Sequence, residues 1–164
     1  AAYEGLLREC VLAYKFGGGP RHTAVLRTLV LAAYERGRAF DGPGTLDPDG
    51  PEVIAPVPLH PRRLRWRGFN QSLELACALA GTGRGVVSPK ALARTRNTMP
   101  QSTLSGAERR ENIKGAFAAD GRVVGGRSVL LVDDVMTTGA TVEQAVQALR
   151  EAGAARVDVL VLAR

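Results

Sequence analysis

Val129-Leu130-Leu131-Val132-Asp133-Asp134-Val135-Met136-Thr137-Thr138-Gly139-Ala140-Thr141 is the stretch that decides the fold. The apolar run from Ser128 to Val132 is what a strand buried on both faces requires. Asp133 and Asp134 stand at its C-terminal end, the end at which open α/β sheets bind ligands. A hydroxyl- and glycine-rich loop follows, then a helix expected from Thr141 to about Ala152, with Thr141 and Gln144 as a capping box. Residues 138–141 therefore present backbone N–H groups at a helix N-terminus, where partial positive charge accumulates and anions bind. Thr137, Thr138 and Thr141 add hydroxyl donors, Gly139 lets the backbone approach a phosphate closely, and Ala140 completes the turn. The cradle has no lysine, which suits a terminal monophosphate rather than a nucleoside triphosphate. The two carboxylates suit two ribose hydroxyls, or a Mg²⁺ held through water, since that ion takes few carboxylates together with ligand phosphates.

Two other readings of this stretch were weighed. One is a plain strand end with a capped turn. The other is the acidic pocket of a phosphoacceptor receiver domain, which opens with the same apolar-Asp-Asp run but needs a longer continuation than the 30 residues after Asp134.

Working outward, Val157–Leu162 reads as a last strand. Val53–Pro58 reads as an earlier one whose two prolines argue for an edge or an irregular end. Between them the pattern predicts a basic loop over 62–67 and a helix from an Asn70 N-cap to Ala80. It also predicts short strands at Val86-Val87, Ala91–Ala93 and Gly115–Phe117, an exposed polar loop over 94–104, and a short helix capped by Ser105 and Glu108. Strands alternating with helices indicate an α/β fold with a mostly parallel sheet of about four to six strands. Upstream, residues 2–16 and 22–36 carry helical periodicity, and 37–52 is a Gly/Pro/Asp-rich loop. The expected organisation is an N-terminal helical hood over 1–40, a loop over 41–52 and an α/β core over 53–164.

Composition narrows the class. The 164 residues suit one compact domain. No apolar run approaches the roughly 18 residues of a membrane span, and no basic-apolar leader opens the chain. Cys10 and Cys77 are far apart in apolar surroundings and are expected to be buried structural thiols; with no disulfide or metal spacing they point to the cytoplasm. The net charge of +6 comes with 19 Arg against 3 Lys. Arginine forks onto phosphate oxygens, so an anionic partner is expected, although such a bias also arises from base composition alone.

The 129–141 stretch resembles the ribose-phosphate fingerprint of type I phosphoribosyltransferases. Together with Val53–Leu59, Arg67-Gly68-Phe69-Asn70-Gln71-Ser72, Gln101, Leu104-Ser105, Arg109, Asn112 and Gly115–Phe117, it resembles the ComF family, which is associated with DNA uptake in natural competence. That family usually carries an N-terminal four-cysteine zinc module, which this sequence lacks. The resemblance implies a type I phosphoribosyltransferase-like fold. It implies that Asp133 and Asp134 contact the ribose 2′- and 3′-hydroxyls of phosphoribosyl pyrophosphate and that Thr137–Thr141 hold its 5′-phosphate. It further implies that Leu59, His60, Arg62 and Arg63 take the pyrophosphate, and that residues 94–109 form a closing loop whose Arg94 and Arg109 neutralise the leaving charge.

Arg62, Arg63, Arg65 and Arg67 read either as a pyrophosphate clamp, as a solvated basic face, or, with Trp66 and Phe69 among them, as a contact for single-stranded DNA. His60 reads as a phosphate contact, a base or a structural histidine; Lys15 and His22 carry little signal. Three functions follow from the sequence. They are a ComF-like phosphoribosyltransferase acting with competence proteins on incoming DNA, a non-catalytic adaptor for single-stranded DNA, and an orphan metabolic transferase that moves a phosphoribosyl group to an amine or base with release of pyrophosphate. A homodimer is compatible with all three.

Overall fold

The computed structural model describes residues 5, 9–10, 13–14, 20–40, 42, 44–81, 85–98, 106–136 and 138–163, without the side chains of 20–23, 106–107 and 109–110. Gly5, Glu9, Cys10, Ala13 and Tyr14 are helical. The chain continues as α1 (Pro20–Ala39), β1 (Val53–Pro56), α2 (Pro61–Arg67), α3 (Gln71–Ala80), β2 (Val86–Val87), β3 (Leu92–Arg94), α4 (Gly106–Ile113), β4 (Phe117–Ala119), α5 (Gly121–Val124), β5 (Ser128–Val135), α6 (Ala140–Glu151) and β6 (Arg156–Ala163). The central sheet runs β2-β1-β5-β6 with every pairing parallel, and β3 and β4 form a separate antiparallel pair.

The hydrophobic run of β5 places it inside the sheet, and the two-residue alternation of a strand divides its side chains between two cores. Val129 and Leu131 pack with Ala140, Val142, Ala145 and Leu149 of α6 and with Leu92 and Phe117 of the small ribbon. Leu130 and Val132 pack on the other face with Leu26, Val30 and Tyr34 of α1 and Leu75 and Leu79 of α3. Leu131 and Leu149 are fully buried, and such side chains each contribute about 1.5–3 kcal/mol. Residues 20–39, within the expected hood, thus form a helix packed on the sheet beside α3.

Several local expectations are corrected. The strand at Val53 is interior, paired to β2 on one side and β5 on the other. Its proline is tolerated because of position. The Ile54 carbonyl accepts from Ser88 on the β2 side; Pro56, two residues on, faces the same way, beyond the last residue of β2, where no amide is needed. The basic stretch expected as a loop is the helix α2. Pro61 sits at its first turn, where a missing N–H costs nothing, and His60 caps it by accepting the Arg62 N–H at Nδ1, 3.3 Å away. Helix α6 begins at Ala140 with Gly139 as its N-cap, so Thr141 and Gln144 form no capping box. The Gln144 amide oxygen instead accepts the Gly115 N–H at 2.9 Å, tying the start of β4 to α6. The fourth strand lies two residues later than expected. Cys77 is exposed and Cys10 half-buried, and both are free thiols, not the buried pair anticipated. Ser105, Lys15, Gln101 and Leu104 lie outside the described residues, as does the His22 side chain. Among the described residues no helix is long and apolar enough to cross a membrane.

Candidate functional site

Parallel pairing brings the C-terminal ends of β1 and β5 side by side, with α2 and α3 following β1 and α6 following β5. Asp133 and Asp134 are the last interior positions of β5, each about 9% exposed. Asp133 Oδ1 accepts the Ser72 hydroxyl of α3 at 2.9 Å and the Asp134 N–H at 2.9 Å; Asp134 Oδ1 accepts the Val135 N–H at 2.7 Å. Asp133 lines a shallow hollow with Met136 and with Thr138, Gly139, Ala140 and Thr141. Asp134 is directed elsewhere electrostatically, its charge acting on Arg67 and on the Tyr14 hydroxyl. Adjacent residues of an extended strand face opposite ways, which accounts for the divergence.

The other wall of the hollow is the start of α6. Gly139 adopts φ +81°, ψ −14°, and as a glycine N-cap it supplies no side-chain acceptor to the leading amides. A helix of 12 residues that opens this way beside a strand tip has the form of an anion cradle. Thr137 and the side chain of Arg109 lie outside the described residues.

Positive charge gathers on α2, the helix that follows β1. Helix α2 buries none of its residues. Arg62 and Arg65 are exposed, Arg63 and Arg67 half-buried, and Trp66 is 73% exposed. Partial desolvation, followed by the charges of Arg62, Arg94, Arg65 and Arg63, holds the His60 imidazole below its usual range, so it is neutral at pH 7. Leu59, between β1 and this cap, is half-buried.

Arg94 departs from the sequence reading most clearly. It and Thr98 were expected on an exposed loop, yet both are buried, and the Arg94 guanidinium donates to the Thr98 hydroxyl. Its guanidinium carbon lies 5.6 Å from the centre of the Phe117 ring, a cation–π arrangement. Burial, with the neighbouring charge of Arg63, pushes its pKa down to about 10, and Asp133 opposes the shift. The side chain therefore keeps its charge at neutral pH while its Nε has no hydrogen-bond partner among the described residues. A buried, under-satisfied guanidinium near a carboxylate is costly as structure and suited to an anion.

The segment Arg67–Ser72 joins these parts. Gly68 closes α2 in a left-handed conformation, its N–H bound to the Leu64 carbonyl. Phe69 meets the Tyr14 ring edge-on, with centroids 5.2 Å apart. Asn70 caps α3 by accepting the Ser72 N–H and donates to the Val57 carbonyl at the end of β1, both at 3.1 Å. Gln71 accepts from Arg67 at 3.0 Å. Asn70 was legible as a cap. The contacts of Ser72 and Gln71 carried no sequence signal beyond family resemblance, because they depend on how α3 meets β5.

A resident metal is tested by the donor set. Among the described residues no three His, Cys, Asp or Glu side chains form a group able to hold an ion. Of the two carboxylates Asp133 faces the hollow, and it would hold a Mg²⁺ carried in by a polyphosphate through water.

The phosphoribosyl transferase domain model matches residues 75–164. The chain is 43% identical over 114 residues to the DNA utilization protein YhgH of Escherichia coli K12, covering 70% of this chain and 50% of that protein. It is 39% identical over 119 residues to Competence protein F of Haemophilus influenzae, covering 70% and 51%. The match thus spans about half the length of these curated relatives. Among solved structures, glutamine phosphoribosylpyrophosphate amidotransferase from B. subtilis superposes with TM-score 0.58 at 22% identity, over 93% of this chain and 30% of that one. The allosteric regulatory enzyme of purine biosynthesis superposes with TM-score 0.50 at 24% identity, over 84% and 25%. Both show the fold, that of type I phosphoribosyltransferases. The chain belongs to the phosphoribosyl transferase domain family and resembles its competence-related, ComF-like members.

Proposed function

We propose that the protein binds phosphoribosyl pyrophosphate at the tip of β5 and acts as a ComF-like phosphoribosyltransferase on DNA-derived material in the cytoplasm. The observation that carries this reading is the shared hollow, in which Asp133 and residues 138–141 at the start of α6 line one cavity. A sugar phosphate needs those two features together, a carboxylate for ribose hydroxyls and helix amides for the 5′-phosphate. In this reading Arg94 and the arginines of α2, of which Arg63 acts electrostatically on Arg94, would take the pyrophosphate charge, and neutral His60 would add a contact. In the transfer, a nitrogen of an amine or base forms a bond to ribose C1 as the bond from C1 to the pyrophosphate oxygen breaks. The nitrogen gives up its proton to water, and pyrophosphate leaves with the bonding pair. Arg94 and Arg63 stabilise the departing charge. Mg²⁺, when bound, neutralises diphosphate charge. Screening nitrogen bases and amines for pyrophosphate release tests the transfer; loss of release in Arg94→Met supports it, and no release with any acceptor leaves a binding adaptor in its place.

One observation favours a second, compatible reading, direct contact with single-stranded DNA. Trp66 and Leu64 are exposed on α2 among Arg62, Arg63 and Arg65, and an aromatic platform amid positive charge suits single strands. Trp66 is the only tryptophan, so its fluorescence reports occupancy. Quenching by oligothymidine that weakens with salt supports the contact, and an unchanged salt slope in the Arg62→Ala/Arg65→Ala variant argues against it.

A further inference from the structure

The stretch Arg67–Ser72 lies upstream of residues 75–164, which match the family model, yet Ser72 at its end reaches the acid of the proposed ribose site. Ser72 donates to Asp133 Oδ1 from a position only 4% exposed. Gln71, 2% exposed, holds the Arg67 guanidinium by its amide oxygen, which joins the end of α2 to the start of α3. The remaining residues anchor the segment. Gly68 ends α2, Phe69 wedges against Tyr14, and Asn70 ties the start of α3 to the Val57 carbonyl at the end of β1. Each of the six residues therefore has a contact toward Asp133 or toward the frame that holds it.

We propose that Arg67–Ser72 is a positioning segment for Asp133, with Ser72 fixing its carboxylate toward the hollow and Gln71, through Arg67, holding the end of α2 against the start of α3. A carboxylate in a strand tip has a free rotation about its last bond. The buried Ser72 hydroxyl joins the Asp134 N–H on Oδ1, and these two donors hold the orientation of the carboxylate. The inference rests on the ribose-phosphate reading above and adds the residues that give the site its preference for the sugar diol.

The test separates positioning from mere folding. The ligands are ribose 5-phosphate and 2,3-dideoxyribose 5-phosphate, titrated calorimetrically into the full chain and into Ser72→Ala, Ser72→Thr and Gln71→Leu, each first shown to melt cooperatively. Wild-type protein is expected to prefer the diol sugar. Ser72→Ala is expected to lose on the order of tenfold of that preference while its affinity for the dideoxy sugar is unchanged, Ser72→Thr to restore it, and Gln71→Leu to lose less. A structural defect would weaken both sugars alike, and that result, or full preference retained in Ser72→Ala, overturns the positioning role while leaving the ribose reading intact. Wild-type protein that does not distinguish the two sugars overturns both.

Discussion

Replacing Gly139 by alanine isolates one requirement of the cradle, its left-handed turn. Gly139 has φ +81°, and a Cβ built there would stand 3.4 Å from the Glu143 carboxylate and 3.9 Å from the Met136 sulfur, both ordinary contacts with flexible side-chain ends. No collision adds to the cost, which is the left-handed conformation alone, about 1–2 kcal/mol for a residue with a Cβ. For a domain of this size that loss lowers the melting temperature by about 2–4 °C per kcal/mol. Gly85 is the internal comparison. It has φ +82°, but its Cβ would fall 2.3 Å from the Pro51 carbonyl oxygen, an atom of the backbone that cannot swing away. Gly85→Ala should therefore cost clearly more, on the order of 3 kcal/mol or above. Urea unfolding of the three proteins gives the values directly, and Gly139→Asn should recover part of the loss because asparagine tolerates this conformation. Equal costs for the two alanine variants, or none at Gly139, would refute the geometry from which the cradle is argued.

Arg94 and His60 supply two further expectations. Arg94→Met should leave stability within about 1 kcal/mol or raise it, since an apolar side chain replaces a buried charge, while pyrophosphate affinity falls about tenfold; a large stability loss with unchanged affinity would make the residue structural. The lowered pKa of His60 means that the unfolded chain takes up a proton first. Its contribution to stability is thus present above about pH 6.5 and declines as pH falls toward the folded-state value. Its imidazole resonances should titrate below that pH and move upward on adding pyrophosphate, whose charge offsets the surrounding arginines. A midpoint at or above the ordinary value in the free protein would contradict the electrostatics described around α2.

Much of the architecture was written in local pattern. The apolar run before Asp133 marks an interior strand, and the hydroxyl- and glycine-rich loop after it marks the following helix, because both signals are properties of consecutive residues. The basic stretch after His60 misled because Arg-rich sequence carries no apolar period. Its helicity comes from a proline at the first turn and a histidine cap, not from a buried face. The strand at Val53 looked like an edge because proline lacks a donor, and only the early end of β2 explains how an interior strand tolerates it. Arg94 and Thr98 looked like a polar loop because burial of a guanidinium under Phe117 depends on a strand pairing 23 residues away. The same limit applies to Ser72, whose partner Asp133 is 61 residues distant.

The central claim is that the strand tip and the start of α6 together receive a sugar phosphate. It is tested most directly by following backbone amide resonances as ribose 5-phosphate is added to the protein. The account predicts saturable shifts that are largest at Thr138–Val142 and Asp133, and that vanish in Asp133→Asn for the free sugar diol while inorganic phosphate still perturbs Thr138–Val142. Shifts centred instead on the opposite end of the sheet, around Arg150 and Arg156, or spread evenly over the arginine-rich surface, would contradict it.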